Sequence, residues 1–278
     1  MKQKIWVYVI AALCSVLLVW TTLGGLQPNI PSKVPEAGVS AFFALQLGAS
    51  QPVWFTTVLL LLIPFTAGIS IIYMKNNRAI TNVVVRAKGY KRILIGTAFS
   101  SFLNGFFLQL VVNFFELVGL RVLYGPINVM SSSNYLVYDR TFNFSQNGWI
   151  NLMMFLLLSG IGMGLFSASI FSLGLYIKRT FIFNLLGIVA GFGLILIPAG
   201  LSGFGSHHAG LISYAFFLPS LIAPSNMTIG VYYPSLSPYT YYIGSICVYL
   251  TTTVLLLMIA LRGKDMVQRG SKNIVSSI

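Results

Sequence analysis

The sequence predicts an all-α, polytopic membrane protein whose residues 1–278 form a single transmembrane domain. Three observations predict it. Charged residues make up 8% of the chain, against about 25% in an ordinary soluble domain. Hydrophobic residues make up 56%, and the mean hydropathy is +0.85. The charges are clustered, so that Ile5–Ser32, Ala37–Met74, Ile93–Phe115, Thr141–Ile177 and Thr180–Leu261 contain no Asp, Glu, Lys or Arg. Such a composition excludes a soluble enzyme and a disordered chain, since neither keeps so much apolar surface in water. The runs lack strict alternation and far exceed the roughly 10 residues of a barrel strand, so they read as helices.

Six spans are predicted, at about 5–25, 53–74, 93–118, 149–176, 181–201 and 241–261, each near the ~20 apolar residues that cross a hydrocarbon core. The first follows Lys2 and Lys4. It outruns the roughly 7–15 residues of a signal-peptide core and lacks a clear A-x-A site, so it reads as an uncleaved span. The fourth carries Gly160 and Gly164 with Gly162 between them, and the fifth carries Gly187 and Gly191. G-x-x-x-G spacing lets helix backbones approach closely, here within one chain. Pro198 is placed to kink the outer end of the fifth span. The last uncharged run holds two spans and a long excursion between them.

With six spans, all of the 17 basic residues except Lys33, Arg121 and Arg140 fall on one side. That side is the cytoplasm by the positive-inside rule, and it receives both termini. The net charge of +13 is then mostly topology, plus attraction to anionic lipid heads. Nucleic acid is not an expected partner, because no basic run carries interleaved stacking aromatics on a soluble domain. Cys14 and Cys247 both fall inside spans, where a disulfide is not expected.

Between the second and third spans, Ile80, Val83, Val84 and Ala87 recur at i, i+3, i+4 and i+7. This is the apolar stripe of a short amphipathic helix over 77–88. Gly89 is placed to end it, and Arg86 and Lys88 suit its C-terminal dipole. A rod of about 18 Å results. It either snorkels along the lipid surface as a basic loop or presents a docking face to a cytoplasmic partner.

Six spans, inside termini, a cytoplasmic helix after span two and a long apolar outer segment after span five resemble the permease subunit of an exporter-type (ABC-2-like) ATP-binding-cassette transporter. The stretch Arg78 to Arg92, with Val83-Val84-Val85-Arg86-Ala87-Lys88-Gly89 leading into an apolar span, is similar to such permeases' coupling helix and third-span entry. The resemblance implies a second permease protomer, as homodimer or heterodimer, and a cytoplasmic ATPase subunit that grips Arg78, Ile80, Val83, Val84, Arg86 and Lys88. The chain has no G-x-x-x-x-G-K-[ST] phosphate loop. ATP and magnesium are therefore expected on the partner ATPase, with no cofactor on this chain. The sequence departs from many such permeases in having only four residues before Ile5, with no amphipathic helix there.

The uncharged segment 202–240 is expected on the outer side. His207–Ala223 is too short to cross and return, and is bracketed by Gly203, Gly205, Pro219 and Pro224. It reads as a re-entrant or interfacial helix pair, the type of element that caps the pathway in the resembled family, and those four residues are the candidate outer gate. Tyr232, Tyr233, Tyr239, Tyr241 and Tyr242 are expected to form an aromatic belt at the outer interface.

Polar groups inside spans are costly and often functional. Gln109, Asn113 and Glu116 share one face of the third span and are the candidate vestibule. Glu116 lies about 35 Å along the helix from Ile93, at the expected outer interface, with Arg121 a turn further out. Gly200-Leu-Ser-Gly203 matches the G-x-S-G of rhomboid-type proteases, but neither His207 nor His208 lies in the sixth span. Adjacent histidines diverge by about 100° on a helix and fall short of the three or four ligands zinc takes. No catalytic residue and no metal site is assigned.

The expected function is that of an exporter permease in the cell (cytoplasmic) membrane, multi-pass and bacterial in type, and not itself an enzyme. It would move an apolar or amphipathic cargo outward: a lipid, a hydrophobic drug or a peptide. The alternative class is a non-transporting immunity, sensory or scaffold protein that binds a partner through its basic inner loop. A proton-driven transporter is less well served, because the spans offer few Asp, Glu or His relays.

Overall fold

The computed structural model describes residues 2–26, 37–47, 51–67, 89–124, 144–145, 147–177, 179–203, 207–224 and 238–275. These form α1 (Lys2–Leu26), α2 (Ala37–Ala44), α3 (Val53–Thr66), α4 (Tyr90–Tyr124), α5 (Gly148–Gly174), α6 (Thr180–Ser202), α7 (His207–Phe216), α8 (Leu218–Ile222) and α9 (Pro238–Val275). No strand occurs among the described residues. Four helices are long and apolar enough to cross a membrane: Tyr90–Leu123, Gly148–Gly174, Thr180–Ser202 and Tyr239–Arg262. Ile5–Thr21 and Val53–Thr66 are shorter apolar helices. The four long helices fit a multi-pass membrane protein. The predicted residues 68–74 of the second span, and the predicted inner helix at 77–88, lie outside the described residues.

Local chemistry sets the helix limits. Asn147 caps α5, its side-chain oxygen accepting from the backbone N–H of Trp149 at 3.0 Å and of Ile150 at 3.4 Å. Gly89, directly before α4, has φ of 74°, the left-handed backbone that a β-carbon penalises. Pro64 lies inside α3 and Pro198 inside α6. The last helix runs on to Val275, beyond the predicted end of the sixth span at 261.

The core is built around α5. Its most apolar stretch is 72% buried, against 17% for α6 and for α9. Glycines and serines face inward on α5, among them Gly160, Gly162, Gly164, Ser159, Ser167 and Ser172. Large apolar side chains cover the outside, including Trp6, Trp20, Phe99, Phe114, Phe181 and Leu196. This is the arrangement expected when lipid solvates the exterior and small residues let helices close up.

Close approaches follow the glycines. A β-carbon at Gly162 would collide with the backbone carbonyl of Leu221 on α8, and one at Gly187 on α6 with the carbonyl of Leu60 on α3. One at Gly164 would come 2.8 Å from the carbonyl oxygen of Phe102 on α4, and one at Gly105 2.8 Å from that of Met163. Both G-x-x-x-G patterns are therefore consumed within the chain.

Candidate functional site

Polar clusters interrupt this core, and two of them involve α4. In the first, Ser101 on α4, Thr66 on α3 and Ser167 on α5 meet where three helices cross. The Ser167 hydroxyl lies 3.3 Å from that of Thr66 and 3.4 Å from that of Ser101. Asn104 donates its side-chain amide to the Thr66 carbonyl at 3.3 Å, and Tyr8 on α1 donates its hydroxyl to the Asn104 carbonyl at 3.3 Å. These bonds tie α1, α3, α4 and α5 together at one height.

The second cluster contains the three vestibule candidates. Gln109, Asn113 and Glu116 are all buried, at 3%, 0% and 0% exposure. Gln109 Nε2 donates to Asn113 Oδ1 at 3.0 Å, and Asn113 Nδ2 donates to Ser159 Oγ on α5 at 3.3 Å. Glu116 Oε2 accepts from Gln46 Nε2 at 2.9 Å. The Glu116 carboxyl is fully buried, covered by Gln46 from the segment just after α2. Arg121 is exposed, so it is not buried with Glu116 as a balancing charge.

Gln46 lies two residues past α2, between the first and second predicted spans. Val39, Ala41, Phe42, Phe43, Leu45 and Leu47 are buried with it. Phe42 and Phe43 make edge-to-face contacts with Phe155 on α5, at centroid distances of 5.6 and 5.2 Å. The signal was present in Val39, Phe42 and Phe43 at i, i+3 and i+4 and in the uncharged context.

The segment between α6 and α9 is a broken helix. α7 ends at Phe216 and α8 begins at Leu218 with Pro219 in its first turn. Pro219 has no N–H for the carbonyls three and four residues before it, and at Phe216 a hydroxyl supplies the missing donor. Tyr249 on α9 donates to the Phe216 carbonyl at 2.8 Å. The Ser220 hydroxyl lies 2.6 Å from the Phe217 carbonyl and 2.8 Å from that of Tyr214, which also accepts from Ser245 on α9 at 3.2 Å. Tyr242 donates to the Leu158 carbonyl on α5 at 2.6 Å. Tyr241 and Tyr242 are thus buried, which corrects their assignment to an interfacial belt; Tyr239 is exposed, and Tyr232 and Tyr233 lie outside the described residues.

Of the gate candidates, Pro219 and Pro224 are buried in or beside α8, Gly203 ends α6 in the open, and Gly205 lies outside the described residues. The predicted ATPase-contact residues Arg78, Ile80, Val83, Val84, Arg86 and Lys88 also lie outside them. Ser202 donates its hydroxyl to the Ala199 carbonyl at 2.7 Å, a local helix bond. Among the described residues no group of three or more His, Cys, Asp or Glu could hold a metal. Cys14 and Cys247 are free thiols.

An apolar cavity of about 170 Å³ lies between α5, α6 and α9, lined by Phe166, Ile170, Leu194, Phe216, Val248 and Tyr249 among others. No family model, no curated protein and no solved structure matches this chain.

Proposed function

We propose that this chain is the membrane-spanning permease subunit of an ATP-driven exporter, working with a second permease protomer and a separate cytoplasmic ATPase in the cell membrane. The observation that supports it most is the broken α7–α8 pair. It lies between the last two long apolar helices, and Leu221 meets Gly162 near the middle of α5. In a membrane crossed by α5, that contact is at mid-depth, as a re-entrant element requires. Broken backbone at such depth is tolerated where protein satisfies it, which the Tyr249, Ser220 and Ser245 hydroxyls do.

On this reading there are six spans with both termini inside, and α7–α8 is the outer gate. Residues 77–88 are the coupling helix, gripped by the ATPase through Arg78, Ile80, Val83, Val84, Arg86 and Lys88. ATP and magnesium bind the partner. Gln109, Asn113 and Glu116 line a vestibule when the helices part. The cargo is apolar or amphipathic.

Extraction of the tagged protein in mild detergent, with mass spectrometry of the co-purifying chains, tests the proposal. A near-equimolar ATPase carrying a phosphate loop is expected. An intact oligomer without one leaves the non-transporting partner-binding protein as the better reading. The double substitution Val84→Asp with Arg86→Glu should release the ATPase and leave membrane insertion intact.

A further inference from the structure

One side of α6 carries a groove. Val189, Gly193, Ile197 and Leu201 recur every four residues along it, and Ser213 and Phe216 of α7 stand on the facing wall. The rim is apolar and open, since Val189, Ile197, Leu201 and the neighbouring Ile212 are exposed. Gly193 keeps the floor clear: a β-carbon there would meet nothing within 4 Å. No charged side chain lines the groove. Its volume is about 480 Å³. From Val189 to Leu201 the helix rises about 18 Å, so the mean cross-section is about 27 Å². A helix with its side chains is about 10–12 Å across and fills about 80 Å² or more. An extended hydrocarbon chain, with packed neighbours about 4–4.5 Å away, takes roughly 20 Å². The width fits one such chain and is too small for a helix of another protein.

Four hydroxyl side chains line this groove and the adjoining cavity between α5, α6 and α9, and three of them are spent. Ser169 donates to the Leu165 carbonyl at 2.9 Å, Thr252 to that of Val248 at 2.8 Å, and Tyr249 to that of Phe216 at 2.8 Å. Ser213 is buried on the groove wall, and its Oγ has no hydrogen-bond partner. Other buried helical serines in this chain, such as Ser15, Ser172 and Ser202, bond a carbonyl of their own helix. An unbonded buried hydroxyl is costly, and an acceptor oxygen at the head of an apolar chain would satisfy it. With no cation on the wall, a neutral ester carbonyl suits that place better than a carboxylate.

We propose that the α6–α7 groove seats one acyl chain of a bilayer glycerolipid, lying along α6, with the Ser213 hydroxyl donating to its ester carbonyl. The occupant is a lipid of the surrounding membrane, entering sideways across the open apolar rim. The site rests on the apolar exterior of the helices and not on the exporter reading.

The full-length protein in mild detergent is irradiated with phosphatidylcholine that carries a diazirine in one acyl chain, and the adducts are mapped by mass spectrometry. Adducts are expected on Ile197 and Ile212 at the groove, and on the exposed Phe99 and Phe107 of α4, which report ordinary lipid contact. Unlabelled phosphatidylcholine with ester-linked chains should displace the groove label at about two- to tenfold lower concentration than its ether-linked analogue, the scale of one neutral hydrogen bond. At α4 the two should compete alike. Ser213→Ala should erase the ester preference, and Gly193→Leu, which fills the groove, should remove the groove adducts and leave those on α4. No groove adducts in the wild type, equal competition by the two lipids there, or groove adducts that survive in folded Gly193→Leu overturns the site, as does an ester preference that survives Ser213→Ala. If Gly193→Leu does not fold, the comparison of the two competitors on the wild type decides. None of these readouts uses ATP, so a missing ATPase partner would refute the exporter reading and leave the groove standing. Failure of the labelling would do the reverse.

Discussion

Gln46 and Glu116, 70 positions apart in the chain, are joined by a 2.9 Å hydrogen bond in which neither side chain is more than 3% exposed. The bond is the polar tether of α2; its apolar anchors are Phe42 and Phe43 against Phe155. A double-mutant cycle with Gln46→Met and Glu116→Gln, read as thermal unfolding in detergent, should give a coupling energy on the order of 1–2 kcal/mol. Additive effects would mean that the tether contributes nothing to holding α2.

The glycine contacts separate by position. Gly162→Ala and Gly187→Ala each drive a methyl into a backbone carbonyl of a neighbouring helix, and should destabilise by about 1–3 kcal/mol. Gly193→Ala and Gly200→Ala meet nothing within 4 Å. They should be neutral or stabilise by up to about 1 kcal/mol, as a helix interior gains from the change. Melting temperatures of the four variants, side by side, check the order.

Two tyrosines make similar bonds with different consequences. Tyr249→Phe strips the Phe216 carbonyl, which sits at the helix break ahead of Pro219, and should cost about 1–3 kcal/mol. Tyr242→Phe removes a second bond from the Leu158 carbonyl inside continuous α5, where the helix supplies its own N–H. It should cost less. Equal losses, measured by unfolding, would mean that the break needs no outside donor.

Gly203 and Gly205 test the gate. If the chain is the proposed exporter permease, bulky replacements at both should reduce export more than assembly with the ATPase. Parallel loss of transport and complex would remove the gate assignment.

Much of this fold was legible in the sequence, because lipid-compatible helices announce themselves by length and lack of charge. The predicted limits 149–176 and 181–201 match Gly148–Gly174 and Thr180–Ser202 closely, and the G-x-x-x-G pairs marked real contacts. Three features were not legible. α2 is eight residues long, too short for a span, and is helical because of what it packs on rather than its own length. The burial of Glu116 depends on Gln46, 70 positions away, which distance along α4 does not reveal. Tyr241 and Tyr242 resemble interface aromatics in composition, but Tyr241 packs on Tyr214 of α7 and Tyr242 bonds the Leu158 carbonyl of α5.

The uneven attachment of α6 has a mechanical meaning. α5 and α9 are fastened at several heights: by Tyr242 to Leu158, by Ser169 to Thr253 at 2.7 Å, and by Tyr176 to Leu256 at 2.6 Å. α6 instead leans chiefly on α3, where Gly187 and Gly191 both close on Leu60. α3 in turn is pinned to α4 and α5 by the bonds at Thr66, so α6 is held to the bundle chiefly through its neighbour.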